Sequence, residues 1–292
     1  MTSRYPITPP PPATRGQVQK IFSEIRVLSG FVDQNHLMQI VGEYFNEQSP
    51  EIQQSILDEA EQTRQFVGTL KPFLQTSAEI REITNDYVQA LQADPVFQAS
   101  FGNVIHRFAY VDPTKIIALQ PWIEPRNDRL PDNEDELIQF ALPNVFEVPA
   151  EVNFIPPNGP IQILSSNPMF QGLAIDFDAA AGKVSLGPPK HLNLTQVRRF
   201  QDRYYLFNGY HRLADAVRAG VREFPCLIVD AFSPADLLIN DPRFFNIGYI
   251  VTLMRPPLVA DFNSPAALTT KIRERRYGMI IDLDIKPINI GI

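Results

Sequence analysis

The sequence predicts an α+β protein: an N-terminal helical bundle followed by a mixed sheet with helices. Three observations carry this. Between residues 17 and 107 apolar side chains recur every three or four positions, the period of one buried helix face. After residue 107 the texture changes to short apolar runs punctuated by Pro and Gly, which reads as strands and turns. A chain of 292 residues, at roughly 150 per domain, makes about two domains and can bury a core without metals or disulfides. Hydrophobic residues at 44% and charged residues at 20% exclude a largely unfolded chain.

Residues 1–15 carry Pro6 and Pro9 to Pro12 with little to bury, so they read as an extended proline-rich arm. The bundle spans 16–107. Its first helix places Val18, Ile21, Phe22, Ile25 and Leu28 on one face and stops at Gly30. The second uses Leu37, Ile40, Val41, Tyr44 and Phe45. Ser49 caps a third, with Pro50 at its first position, and the stripe Ile52, Ile56, Ala60, Thr63, Val67, Leu70 runs on to Pro72. Thr76 and Glu79 form a capping box for a fourth, through Ile80, Ile83, Tyr87 and Leu91. Short loops predict antiparallel neighbours.

A second domain is expected over 108–255. Asn133 to Leu142 reads as a short helix, and Val152 to Ile155, Ile161 to Leu164, Leu173 to Phe177 and Lys183 to Leu186 read as strands. Asn158-Gly159 and Ala181-Gly182 have hairpin chemistry, so antiparallel pairing is expected between 150 and 187. The extension 256–292 holds Pro256-Pro257, a weak helix around Pro265 to Arg275 and a strand-like stretch Tyr277 to Ile285.

With 26 Lys+Arg against 33 Asp+Glu the formal charge is −7, which argues against a surface that grips nucleic acid everywhere. The one cysteine, Cys226, excludes a disulfide framework, a thiolate zinc cluster and a CxxC redox pair; a reducing, cytoplasmic setting is the expectation. No apolar stretch approaches the 18 or so residues of a membrane span, and the N-terminus reads as lacking a secretory h-region.

The chemistry concentrates in Tyr204 to Gly220, which reads as strand, tight turn, helix. The first amides of such a helix have no intrahelical acceptor, and its macrodipole adds partial positive charge. An anion can sit there. Asn208-Gly209 is the turn pair, and Gly209 lets the backbone approach a phosphate. Tyr210 opens the helix, while His211 and Arg212 in its first turn add a donor and a fixed cation. From Lys190 to Arg222 seven basic residues face two acidic ones, a local reversal of the overall charge. A strand–turn–helix needs a glycine in any case, and exposed arginines also serve as a solvated face, so a purely structural role stays open.

The run Phe207-Asn208-Gly209-Tyr210-His211-Arg212-Leu213-Ala214 to Gly220, followed by Glu223 to Val229, resembles the core motif of the ParB/sulfiredoxin superfamily. The resemblance covers Thr195 to Asp230 and extends weakly to Val111 to Ile117. It implies a ParB/sulfiredoxin-like mixed sheet that binds nucleotide or phosphate: sulfiredoxins use ATP, free-serine kinases ADP, and ParB partition proteins CTP. Carried over, Gly209 approaches phosphate, His211 donates to it and Arg212 holds its charge. Two departures stand out. Tyr210 replaces the sulfiredoxin cysteine, which excludes sulfinic acid reduction, and Cys226 lies in an apolar strand where it reads as a small buried hydrophobe. No basic helix-turn-helix domain follows, which disfavours a partition protein.

Other signals are sparse. His36, His106 and His191 have no partner at metal-ligand spacing, and no P-loop, dinucleotide loop or GxSxG elbow occurs. A nucleotide would be able to bring magnesium with it. Trp122 reads as core rather than a base-stacking residue, and Lys271 to Arg276 as a solvated face. A kinase would need a carboxylate base, for which Glu147, Glu151, Asp176 and Asp178 are equivalent candidates. Three classes follow: a nucleotide-dependent phosphotransferase or nucleotidase; a non-catalytic adaptor whose bundle and proline arm dock onto a protein partner; and a CTP-gated nucleic-acid clamp.

Overall fold

Capping residues and prolines start most helices. The computed structural model describes residues 22–73, 77–126, 129–144, 192–237, 239 and 242–273, together with the backbone of strands at 146–147, 151–154, 161–165, 174–178, 183–187, 190–191 and 277–281. The chain runs through β1 (Phe22–Val27), a 3-10 turn at Ser29–Phe31, α1 (Gln34–Phe45), α2 (Pro50–Gly68), β2 (Glu79–Glu82), α3 (Asp86–Ala93) and α4 (Pro95–Phe101). It continues through β3 (His106–Val111), β4 (Ile117–Ala118), β5 (Trp122–Ile123) and α5 (Glu134–Ala141). Strands β6 (Phe146–Glu147), β7 (Glu151–Phe154), β8 (Ile161–Ser165), β9 (Ala174–Asp178), β10 (Lys183–Gly187) and β11 (Lys190–His191) follow. Last come β12 (Gln196–Phe200), β13 (Arg203–Asn208), α6 (Tyr210–Arg218), β14 (Phe224–Asp230), α7 (Ile247–Ile250), β15 (Leu268–Arg273) and β16 (Tyr277–Ile281). The fold is mixed α+β. Among the described residues no helix is long and apolar enough to cross a membrane.

A six-stranded mixed sheet, in the order β2-β3-β14-β12-β13-β4, holds the centre. Strand β14 lies parallel to β12 and antiparallel to β3, with Phe224, Cys226, Leu227 and Ile228 fully buried. An apolar run is what a strand covered on both faces requires. Strands β12 and β13 form a hairpin whose two-residue turn, Gln201-Asp202, has both residues at positive φ, the twist such a turn needs. Helix α6 then crosses to β14. The expected antiparallel pairings appear as β7 with β8 and β9 with β10, although the turns Asn158-Gly159 and Ala181-Gly182 lie outside the described residues.

Three expectations are corrected. The segment read as a first helix is β1, because Ile25 and Val27 alternate with Glu24 and Arg26 and pair with β15 and β5. The segment around Glu79 is strand β2 and not a capped helix; the Glu79 carboxylate is held by Arg107 across the sheet, and Asn85 caps the helix that starts at Asp86. Residues Leu268 to Arg273 are a strand, in which buried Leu268 and Thr270 alternate with exposed Thr269 and Lys271. Helices α1 to α4 therefore do not form a bundle of their own. Strand β2 joins β3 in the central sheet, and β1 pairs with β15 from the C-terminal extension. The proline-rich arm, residues 1–15, lies outside the described residues.

Two contacts fix these junctions. The 3-10 turn after β1 sits directly on α2, where a Cβ on Gly30 would lie 2.4 Å from Val67 Cγ2 and 2.7 Å from the Thr63 carbonyl oxygen. On the sheet, Arg107 bridges Glu79 at 2.6 Å and Asp230 at 3.1 Å, and Arg199 reaches the same Asp230 at 2.9 Å. The Arg107 hydrogen bonds hold the Glu79 carboxyl below its usual range, against the opposing effect of partial burial.

We expect Gly30→Ala to destabilise the protein by about 1–3 kcal/mol through overpacking. Gly42→Ala, in an α1 position with nothing within 4 Å, should raise stability by about 1 kcal/mol. Thermal midpoints of the two variants check this. Because the Glu79 carboxyl ionises more readily in the folded state, its contribution is complete above its ordinary pKa of 4.5 and disappears as pH falls through the lower folded value. Acid titration of stability should accordingly show a shallower loss below that pH in Glu79→Gln than in the wild type.

Candidate functional site

The turn between β13 and α6 needs glycine for two reasons. Gly209 adopts φ 90°, and a Cβ there would lie 2.8 Å from Thr195 Oγ1 and 2.9 Å from Thr195 Cα. Thr195 is itself fully buried, its N–H donating to the Ala141 carbonyl and its carbonyl accepting from Leu227. Asn208 closes the turn: its Oδ1 accepts from the Gly209 N–H at 2.9 Å, and its Nδ2 donates to Asn193 Oδ1 and the Leu194 carbonyl. Gly220, at φ 74°, ends the helix, as the sequence indicates.

The next three residues face inward to different degrees. The buried Tyr210 hydroxyl donates to the Leu206 carbonyl at 2.5 Å and accepts from the N–H groups of Leu119 and Gln120, both at 3.0 Å; burial pushes its pKa up. His211, half-buried, donates from Nδ1 to the Glu124 carbonyl at 2.6 Å. Arg212 is the most engaged. Its Nη1 donates to the carbonyls of Phe140 and Ala141, each at 3.1 Å, and its Nη2 donates to the Asn193 carbonyl and, at 3.1 Å, to Asn193 Oδ1. Phe140 and Ala141 end α5, so Arg212 caps the negative end of that helix's dipole.

Every one of these Arg212 partners is neutral. Burial, and to a smaller degree the neighbouring charge of Arg126, lowers its pKa to about 10, so it stays cationic at neutral pH. Two other partly buried arginines differ: Arg107 binds Glu79 and Asp230, and Arg255 binds Asp261 at 2.6 Å. A buried cation without a carboxylate leaves the start of α6 electropositive. Arg126 stands exposed beside it.

The structure thus brings Asn208, Gly209, Tyr210, His211 and Arg212 together but changes the geometry expected for them. The side chains of Asn208, Tyr210 and Arg212 hold the chain to itself, so Arg212 acts from behind the first turn and not as an exposed clamp. Gly209 and Tyr210 are themselves buried, and the residues that reach the surface beside the first turn are half-buried His211 and exposed Arg126. Among the described residues, surface depressions lie along α2, lined by Glu51, Asp58 and Glu59, and beside Arg129, Asp132 and Glu136; neither of these includes a residue of α6.

Remaining candidates fall into place quickly. Cys226 is fully buried, and burial raises its thiol pKa. Trp122 packs edge-on against Phe244, with Arg243 5.0 Å from its ring centroid. His36 bonds the Arg243 carbonyl, and His106 bonds the Val104 carbonyl beside Phe97. Among the described residues no group of three His, Cys, Asp or Glu is placed to hold a metal. Glu147, Glu151, Asp176, Asp178 and His191 lie on strands whose side chains are outside the described residues. Sequence reasoning missed Asn193, Thr195, Arg126 and the end of α5, which contribute through backbone atoms or lone loop positions that leave no spacing signal. Comparison with protein-family models, curated proteins and solved structures finds no match.

Arg212→Ala removes the donor for four oxygens and should destabilise the fold by roughly 2–4 kcal/mol, with Arg212→Lys losing less because it keeps the charge without the fork. Denaturant midpoints measure both. A residue serving only a ligand would leave them unchanged.

Proposed function

We propose that the protein binds a phosphate-bearing ligand of the nucleotide class at the start of α6, as a protein of ParB/sulfiredoxin type. The single observation that supports this most is the buried Arg212 guanidinium with only neutral partners. Its charge adds to the macrodipole of α6. In this reading the amides of the first turn contact the phosphate, His211 and Arg126 contribute from the rim, and Arg212 supplies field without contact. The sequence resemblance suggests ATP, ADP or CTP as the form of the ligand. Magnesium is expected to accompany the nucleotide, and no step is assigned to it.

A second reading, a non-catalytic adaptor using the fold as an interaction scaffold, is favoured by a different observation. Asn208, Tyr210, His211 and Arg212 all have partners within the chain, so the motif also explains itself as the joint between α6, α5 and residues 119–124. The phosphotransferase or nucleotidase version requires a carboxylate base, and the side chains of the candidates Glu147, Glu151, Asp176 and Asp178 lie outside the described residues.

Calorimetric titration with ATP, ADP and CTP in magnesium separates the readings. Binding is expected with a Kd between micromolar and millimolar, weakened about ten-fold in Arg126→Ala, an exposed change that leaves the thermal midpoint in place. Phosphate release alongside binding selects an enzyme. Binding without turnover selects a switch, and no binding at millimolar nucleotide leaves the adaptor. Salt-sensitive retention on duplex DNA would revive the clamp.

A further inference from the structure

Arg198, in the middle of β12, stands apart from the arginines described above. It pairs across the hairpin with Tyr205 and so lies on the side of the sheet that carries Arg203, Tyr205 and Phe207. Its guanidinium carbon sits 3.5 Å from the Phe207 ring centroid, a stack that fixes the plane of the fork. Its Nε is sealed from solvent with no acceptor, whereas neither terminal Nη is sealed in this way. Among the described residues it has no hydrogen bond or ion pair, while Arg203 on the same side binds the carbonyls of Val251 and Leu253.

A half-buried, oriented guanidinium with no oxygen partner is an incomplete pair. Planar acceptors match its fork best, since two parallel N–H···O bonds form at once. The acidic group facing it is Asp236, which raises its pKa against the larger lowering caused by burial. Asp236 does not close the pair: its Oδ2 accepts from the N–H groups of Phe232 and Ser233 at 2.8 and 2.9 Å and from the Ser233 hydroxyl at 3.2 Å. One fixed negative charge nearby tolerates a monoanion better than a dianion.

We propose that Arg198, stacked on Phe207, is a binding point for a single carboxylate group, distinct from the start of α6. The carboxylate comes from a small organic acid or from an acidic side chain of a polypeptide. Both present the same planar monoanion.

The test follows the Arg198 side-chain Nε–H signal by NMR, assigned by its loss in Arg198→Lys, while acetate, a tri-glutamate peptide or inorganic phosphate is added. We expect a saturable shift with acetate or the peptide, about five-fold weaker in Phe207→Leu and unchanged in Arg126→Ala. Tighter binding of the peptide than of acetate identifies a polypeptide source, and equal binding a small acid. Absence of a saturable shift with either carboxylate, or tighter binding of phosphate than of acetate, overturns the proposal. If Phe207→Leu fails to fold, calorimetry comparing wild type with Arg198→Lys gives the same discrimination. Because Arg126→Ala leaves this site intact, its failure and the failure of nucleotide binding at α6 are separately visible.

Discussion

A guanidinium taken out of water is stabilised by oxygen acceptors, and for Arg212 they come from the end of α5 and from the loop at Asn193. Arg212 ties these two segments to the first turn of α6, where Thr195 also lies against Gly209. The arrangement is self-consistent: the last carbonyls of α5 need donors, the fork supplies them, and the N–H of Thr195 shares the Ala141 carbonyl. Much of the central sheet is registered by this joint, since Thr195 leads into β12 and its carbonyl accepts from Leu227 in β14.

The same joint gives the site its electrostatic character. A carboxylate partner would neutralise Arg212; carbonyls only solvate it. Positive charge therefore remains behind a helix start that is already partly positive, in a chain whose formal charge is −7. Arg198 follows the same logic on a neighbouring strand, with an aromatic ring in place of the carbonyls. Structural ion pairs look different, as the Glu79–Arg107–Asp230–Arg199 chain shows, where each charge has its opposite within reach.

What the sequence made legible was local. Pro50 behind Ser49, Asn133 before α5, and the succession β13, Gly209, α6, Gly220, β14 depend on caps and turn residues within a few positions of one another. Strands β1 and β15 were opaque because their pairing joins residues 241 to 251 positions apart, and Phe22, Ile25 and Leu28 fit a helical period. Glu79 imitates a capping residue until Arg107 takes its carboxylate. At the candidate site Gly209 was readable from the turn it must make, whereas the inward course of Arg212 was not, because its acceptors are mostly backbone carbonyls that any residue type would present.

The claim that the first turn of α6 holds phosphate is tested most directly at its amides. Backbone NMR during titration with nucleotide and with inorganic phosphate should move the N–H signals of Tyr210, His211 and Arg212 saturably, with signals in α2 unaffected. If those amides stay still while the protein remains folded, the site is a structural joint and the ligand reading is wrong.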